Sequence, residues 1–339
     1  MKTFTFANWS KFIAVTLTAT TIPLTISAVS AQVLKGFGAS FPEPLYQRYS
    51  TEYEKETGKT FEYTAIGSGG GIRKFMERAV DFGATTLIPT PIEENQVEDG
   101  LLMVPTGGGA VAIVYNLKDV PTNIKLSREQ LAKIFTGQIG NWKQVNPRFP
   151  NKEIQVIVRS DSSGATFVLT KYLNKISGGK IEASREPDWG FDIFAARPQD
   201  SGVAAEVRRI DGAIGYVQSG VAQRNNLPVA RLENQAGRYV KPTLAETKKA
   251  LANVTFNQDF TTDNINDPEE GYPLVSLTWL LIYKRYPNQT LVQDTQDVLR
   301  WIMTRGQEFN QELEYTRIPE DVAQKVIERV NTELKVRPY

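Results

Sequence analysis

Twice in this chain a strand-like run passes into a helix-like run through a turn rich in serine and glycine. The first turn is Ile66-Gly67-Ser68-Gly69-Gly70-Gly71-Ile72-Arg73, between an alternating run at 61–65 and a helical run at 72–80. The second is Arg159-Ser160-Asp161-Ser162-Ser163-Gly164-Ala165-Thr166-Phe167, between a buried-strand pattern at 154–158 and a helical one at 167–173. At such a junction the first helical N–H groups have no intrahelical acceptor, and the helix dipole favours negative charge at the same point. Glycine lets the backbone approach closely and serine adds hydroxyl donors. Either turn by itself reads first as a plain helix cap, and Arg159 with Asp161 as an ordinary surface pair. Together they read as the two halves of one anion site. Their separation in sequence then requires two lobes that face each other.

Composition narrows the chemistry. The chain has no histidine and no cysteine. That closes Ser-His-Asp catalysis, imidazole general bases, thiolate chemistry and histidine zinc sites, and no carboxylates show metal-ligand spacing. Neither a metal nor a cofactor is expected, and no residue is assigned as catalytic. Residues 1–31 read as a secretory signal peptide. Lys2 and Lys11 precede an uncharged apolar and threonine-rich stretch, and Val29 and Ala31 stand where a signal peptidase reads small residues. Pro23 and the shortness of the run argue against a spanning helix. Without a cysteine there is no lipid attachment, so the expectation is a soluble, exported protein with no membrane insertion. Removing the two leader lysines takes the formal charge from +1 to −1, with no basic excess for nucleic acid.

Helix and strand patterns alternate along the remaining 308 residues, which predicts an α/β fold with mostly parallel sheets. The run 45–57 is amphipathic, with Tyr46, Tyr49 and Tyr53 on one face and Gly58 as its stop. Short strands are expected at 80–85, 101–104 and 110–115, the last two separated by Gly107-Gly108-Gly109. Ser127 with Gln130 and Thr243 with Glu246 read as capping boxes, and Ser201 as the cap of a helix over 203–210. The segment 274–283 is the most apolar run of the second half, and helices follow at 291–304 and 320–334. Trp142, Trp189, Trp279 and Trp301, scattered as they are, read as core packing.

Six segments in order carry a family resemblance. They are Gly36-Phe37-Gly38-Ala39-Ser40-Phe41-Pro42-Glu43-Pro44-Leu45-Tyr46, the run 66–73, Val80-Asp81-Phe82-Gly83-Ala84, the run 159–167, Asp211-Gly212-Ala213-Ile214-Gly215-Tyr216, and 272–283. Nearly end to end, the chain after 31 resembles the periplasmic phosphate-binding proteins of high-affinity phosphate ABC transporters, the PstS type. The resemblance implies the two-lobed, type II periplasmic-binding-protein fold, with parallel-rich sheets flanked by helices and a ligand cleft between the lobes. Lobe I would be 32–112 with 276–339 and lobe II 113–275. The function implied is capture of inorganic phosphate by a monomer that delivers it to a membrane permease, with no catalysis.

Carried over residue by residue, Ser40 would offer a hydroxyl and an N–H, and Phe41 its N–H. Ser68 would donate from its hydroxyl. Arg159, held by Asp161, would be the one cation. Ser163, Gly164 and Ala165 would donate from a helix start. Two positions depart from the family's pattern. Ala165 stands where a threonine is usual, with Thr166 next along as a replacement hydroxyl. Thr86 stands where the family has an aspartate that accepts a hydrogen bond from protonated phosphate, and this opens the choice among oxyanions. Alternative readings are a binding protein of the same fold for another oxyanion, a phosphate sensor, or a phosphatase with Ser163 as nucleophile. The last lacks the base or metal such a serine needs.

Overall fold

The computed structural model describes residues 1–3, 33–120, 122–262, 265 and 267–338. The chain divides into two compact units, Met1–Ala31 and Gln32–Tyr339. The expected leader, 1–31, lies outside the described residues apart from its first three. Among the described residues no helix is long and apolar enough to cross a membrane.

An eight-stranded sheet organises the second unit. Its strands are β1 (Leu34–Gly38), β2 (Phe61–Ala65), β3 (Phe82–Thr85), β4 (Leu101–Asn116), β5 (Gln155–Arg159), β6 (Ala195–Arg197), β7 (Ala213–Gln218) and β8 (Val275–Tyr283). They lie in the order β2-β1-β3-β8-β4-β7-β5-β6. The flanks are parallel: β1 pairs with β2 and β3, and β5 with β6 and β7. The centre is antiparallel, with β8 between β3 and β4, and β4 against β7. Helical crossovers build the flanks and so make them parallel, whereas the central strands come from distant parts of the chain.

The glycine run does not break a strand. Residues 101–116 form one strand, roughly 50 Å long at ~3.3 Å per residue. β4 pairs with β8 from Leu101 to Ala110 and with β7 from Val111 to Asn116, so one strand serves both halves of the sheet. The glycines are there for close approach. A Cβ on Gly108 would lie 2.4 Å from Leu251 Cδ1 and 2.8 Å from Thr316 Oγ1, and one on Gly109 would lie 2.9 Å from the Phe41 ring. The lack of side chains at this point lets Phe41 and the 310–316 segment pack directly on the strand.

Most helices follow their sequence signals, but the one expected over 72–80 runs from Ser68 to Met76. Helix α1 (Glu43–Thr57) buries Tyr46, Tyr49 and Tyr53 and ends on Gly58 at φ 72°. Ser127 and Gln130 form the expected reciprocal cap. Thr243 accepts from the Glu246 N–H, but its own N–H donates to the Lys241 carbonyl at 2.8 Å, so the box is only half made. The helix expected to start after Ser201 begins earlier, at Gln199, with Pro198 as its uncapped first neighbour. Trp142 and Trp279 are fully buried, each donating its indole N–H to a backbone carbonyl at 2.9 Å.

Candidate functional site

The two Ser/Gly turns meet. Helix α2 (Ser68–Met76) begins at Ser68, after Gly67 at φ 85°. Helix α3 (Gly164–Ser177) begins at Gly164, with Ser163 as its cap. The contact between them is close enough to need glycine on both sides. A Cβ on Gly164 would fall 1.6 Å from Thr86 Oγ1 and 2.8 Å from Ser68 Oγ. A Cβ on Gly67 would fall 2.4 Å from Asp161 Oδ2. The Gly69 N–H donates to the Ser162 carbonyl at 3.1 Å, so the backbone itself crosses between the turns.

Ser40 and Phe41 occupy the turn between β1 and α1, both buried. Phe41 is fixed by the edge of Tyr315, whose hydroxyl donates to the Phe41 carbonyl. Ser40 Oγ accepts the Asp200 N–H at 3.2 Å, and its hydroxyl also lies within reach of the Asp200 carboxyl. Thr86 follows β3. Its N–H donates to Ser68 Oγ at 3.3 Å, and the two hydroxyl oxygens are 3.2 Å apart.

Arg159 ends β5 and is buried, 7 % exposed. Its Nε donates to Asp161 Oδ1 at 2.7 Å and Nη2 to Asp161 Oδ2, a two-point fork. Its Nη1 donates to Asp200 Oδ1 at 2.6 Å. Burial opposes the guanidinium charge, yet Asp200 and Asp161 outweigh it and hold the group firmly protonated. Burial also pushes the Asp161 carboxyl up, but the hydrogen bonds and charge of Arg159 win and hold it below the ordinary range. Asp200 goes the other way: its complete burial exceeds the pull of Arg159 and raises it. The three side chains carry a net charge of −1 when ionised. An anion here must therefore be held chiefly by neutral donors rather than by excess positive charge.

The second turn supplies those donors differently from the expectation. The Ser163 N–H is taken by the Arg185 carbonyl at 3.1 Å, and Ser163 Oγ accepts the Thr166 N–H at 3.2 Å. Ser163 can therefore offer only its hydroxyl proton. Gly164 and Ala165 sit in the first turn of α3, where N–H groups have no intrahelical acceptor. Thr166 does not replace the hydroxyl missing at Ala165, because its Oγ1 pairs with the Tyr216 hydroxyl at 2.7 Å. Tyr216 in turn accepts the Arg159 N–H at 3.1 Å, joining β5, α3 and β7 behind the site.

Sequence reasoning missed Gln199 and Asp200. Both lie at the start of a third strand-turn-helix junction, after β6, whose Ser201-Gly202 pair was the available signal. Gln199 holds a left-handed φ of 60°, uncommon for a side-chain-bearing residue. Its N–H donates to Asp161 Oδ1 at 3.0 Å and its side-chain amide to the Ala65 carbonyl. Strain of this kind concentrates where surrounding bonds over-determine the backbone.

A model described as the PBP superfamily domain matches residues 25–305. The phosphate-binding protein PstS of Haemophilus influenzae is 34% identical over 324 residues, covering 92% of this chain and 96% of that one. The chain belongs to the PstS family. The phosphate-binding protein PstS of the distant Methanocaldococcus jannaschii is 30% identical over 339 residues, covering 89% of this chain and 86% of that one. Among solved structures, a high affinity periplasmic phosphate-binding protein bound with phosphate at pH 8.5 superposes with a TM-score of 0.75 at 22% identity, covering 87% and 93%. A phosphate-binding protein from Stenotrophomonas maltophilia gives 0.71 at 20%, covering 88% and 94%. The fold is therefore the two-lobed α/β arrangement of this PstS family.

Proposed function

We propose that this chain is a soluble, exported binding protein that captures inorganic phosphate in its cleft and delivers it to the permease of an ABC transporter. The observation that carries the reading is the convergence of the starts of α2 and α3 with the buried Arg159 fork. Ser40, Phe41, Ser68 and Thr86 would face the anion from one lobe, and Arg159, Ser163, Gly164 and Ala165 from the other. The lobes would be 32–112 with 276–339, and 113–275. The partner exchange of β4 beside the Ala110–Val275 pair supports a hinge there. Closure would then make the crossing bonds: Ser40 to Asp200, Gln199 to Ala65, Gly69 to Ser162 and the 2.8 Å Arg185–Glu93 pair. The reading has no chemical step; Ser163 serves as a donor, not a nucleophile. Thr86 favours a second reading, in which the same cleft takes other tetrahedral oxyanions, because a hydroxyl can donate to an oxygen that carries no proton. Titration calorimetry with phosphate, sulfate and arsenate tests both. Saturable phosphate binding with a fall in radius of gyration is expected. The absence of phosphate binding refutes the reading.

A further inference from the structure

Beyond Thr86 lies a cavity of about 570 Å³. Its volume falls in the ~300–1,000 Å³ range of small-molecule pockets and far exceeds what a bare tetrahedral anion fills. Thr86 belongs to both spaces: it touches Ser68 and Gly164 in the cradle and lines the cavity on its other side. The helix α3 also serves both. Gly164 starts it at the cradle, and Phe167, Val168 and Lys171 follow at helical spacing on the cavity wall. Leu87, Ile88, Val275 and Trp279 give the wall its apolar part, and Thr90, Ser184 and Ser276 add hydroxyls. Ile88 is 45 % exposed, a large apolar side chain left in solvent beside the opening. Thr262, also on the wall, is only 5 % exposed, and its Oγ1 has no hydrogen-bond partner among the described residues. A wall part apolar and part polar, with an unpaired buried hydroxyl at Thr262 and Thr86 on its lining, suits a carbon-bearing ligand with polar atoms.

We propose that the cradle also takes small phosphate monoesters, with the phosphoryl group on the starts of α2 and α3 and the organic group in this cavity; the proposal rests on the phosphate reading above. A monoester presents an ester oxygen that has no proton to give. The side chain at the passage must therefore donate to it or be apolar, and threonine has both a hydroxyl and a methyl for this. Thr86 is packed against Ser68 and Gly164, so a monoester that reaches the cavity requires its side chain to turn about χ1. Lys171, which forms no ion pair among the described residues, and Arg185, paired with Glu93, leave the wall with a net positive charge that suits a dianionic ester.

Calorimetry with phenyl phosphate and with inorganic phosphate tests the proposal, using the unmodified protein and the single variants Ile88→Trp and Val168→Trp. Both replacements fill the cavity outside the cradle. Ile88 is exposed enough for its variant to keep the fold. Phenyl phosphate is expected to displace phosphate competitively, with a Kd within about a hundredfold of it. Each variant should weaken phenyl phosphate at least tenfold and leave phosphate within twofold. Phosphate binding without competition by millimolar phenyl phosphate overturns the proposal and spares the phosphate reading. Phenyl phosphate binding that both tryptophans leave unchanged also overturns it, because the organic group then lies elsewhere. Failure of both ligands overturns the two readings together.

Discussion

Replacing Arg159 by alanine should damage binding and folding together, and the structure separates the two effects. The Arg159 side chain is 2 % exposed, and its partners Asp161 and Asp200 are 16 % and 1 % exposed. Removing the cation leaves both carboxylates in the cleft. Asp200 then keeps only neutral partners, the Gln218 N–H at 3.2 Å and Ser40. Breaking a buried pair in this way costs about 3–5 kcal/mol of stability. Affinity should fall as well, since a bound phosphate would meet two carboxylates without their counter-ion. Loss of a buried charged partner at a binding site costs about 2–5 kcal/mol, which is roughly 30-fold to several thousandfold in Kd. Urea unfolding of the ligand-free protein reads the first effect and calorimetry with phosphate the second. The triple variant Arg159→Met/Asp161→Asn/Asp200→Asn removes the orphaned charges. It should recover most of the stability and little of the affinity if Arg159 donates to the anion. Losses below ~1 kcal/mol in both assays, the scale of an exposed pair, would refute the reasoning.

Gly164→Ala places a methyl 1.6 Å from Thr86 Oγ1 and should hold the cleft open; overpacking of ~1–3 kcal/mol predicts a five- to 150-fold loss of phosphate affinity by calorimetry, with the thermal midpoint of the ligand-free protein little changed. Ser163→Ala removes the hydroxyl that caps α3 and that the proposed function assigns to the anion, so stability should fall by about 1 kcal/mol and phosphate affinity by several-fold, measured by urea unfolding and calorimetry. Thr86→Asp puts an acceptor-only group at the cradle wall and should weaken sulfate more than phosphate in competition titrations; equal effects on the two anions contradict the role given to Thr86. The Arg159 fork holds Asp161 below its ordinary value of 3.8, so its contribution is present above that value and disappears as pH falls through the lower folded-state value. Asp200, raised by burial, acts with the opposite sign, so the quantity to follow is the stability difference between the natural protein and Asp161→Asn, which should shrink from about pH 5 toward pH 2 in urea titrations.

Local chemistry made several elements legible in the sequence. Apolar spacing and a terminal glycine identify α1, because a helix needs a buried face and a left-handed stop wherever it sits. Ser163 before Gly164, and Gly67 before Ser68, mark helix starts because the unpaired N–H groups of a first turn call for small and polar neighbours. Arg159 stands out as the cation beside the second turn. What failed were inferences that treated a local signal as sufficient. Gly107-Gly108-Gly109 looked like a break, but those glycines serve partners from Phe41, Leu251 and Thr316, remote in sequence. Ser201 looked like a cap, but Gln199 is pulled into the helix start by bonds to Asp161 and Ala65.

By itself, then, the sequence marked most helices and strands and the turns that can gather donors, since these depend on residues a few positions apart. The PstS resemblance extended that to the order of the parts. Tertiary structure alone decided which carboxylates share Arg159, that the Ser163 N–H is already spent on Arg185, and that Thr166 faces Tyr216 instead of the cleft. It also decided that Thr86 stands between a cradle and a cavity. Each of these depends on groups that the sheet brings together from distant segments. Their charges and hydrogen bonds interact strongly only once burial has removed the water between them.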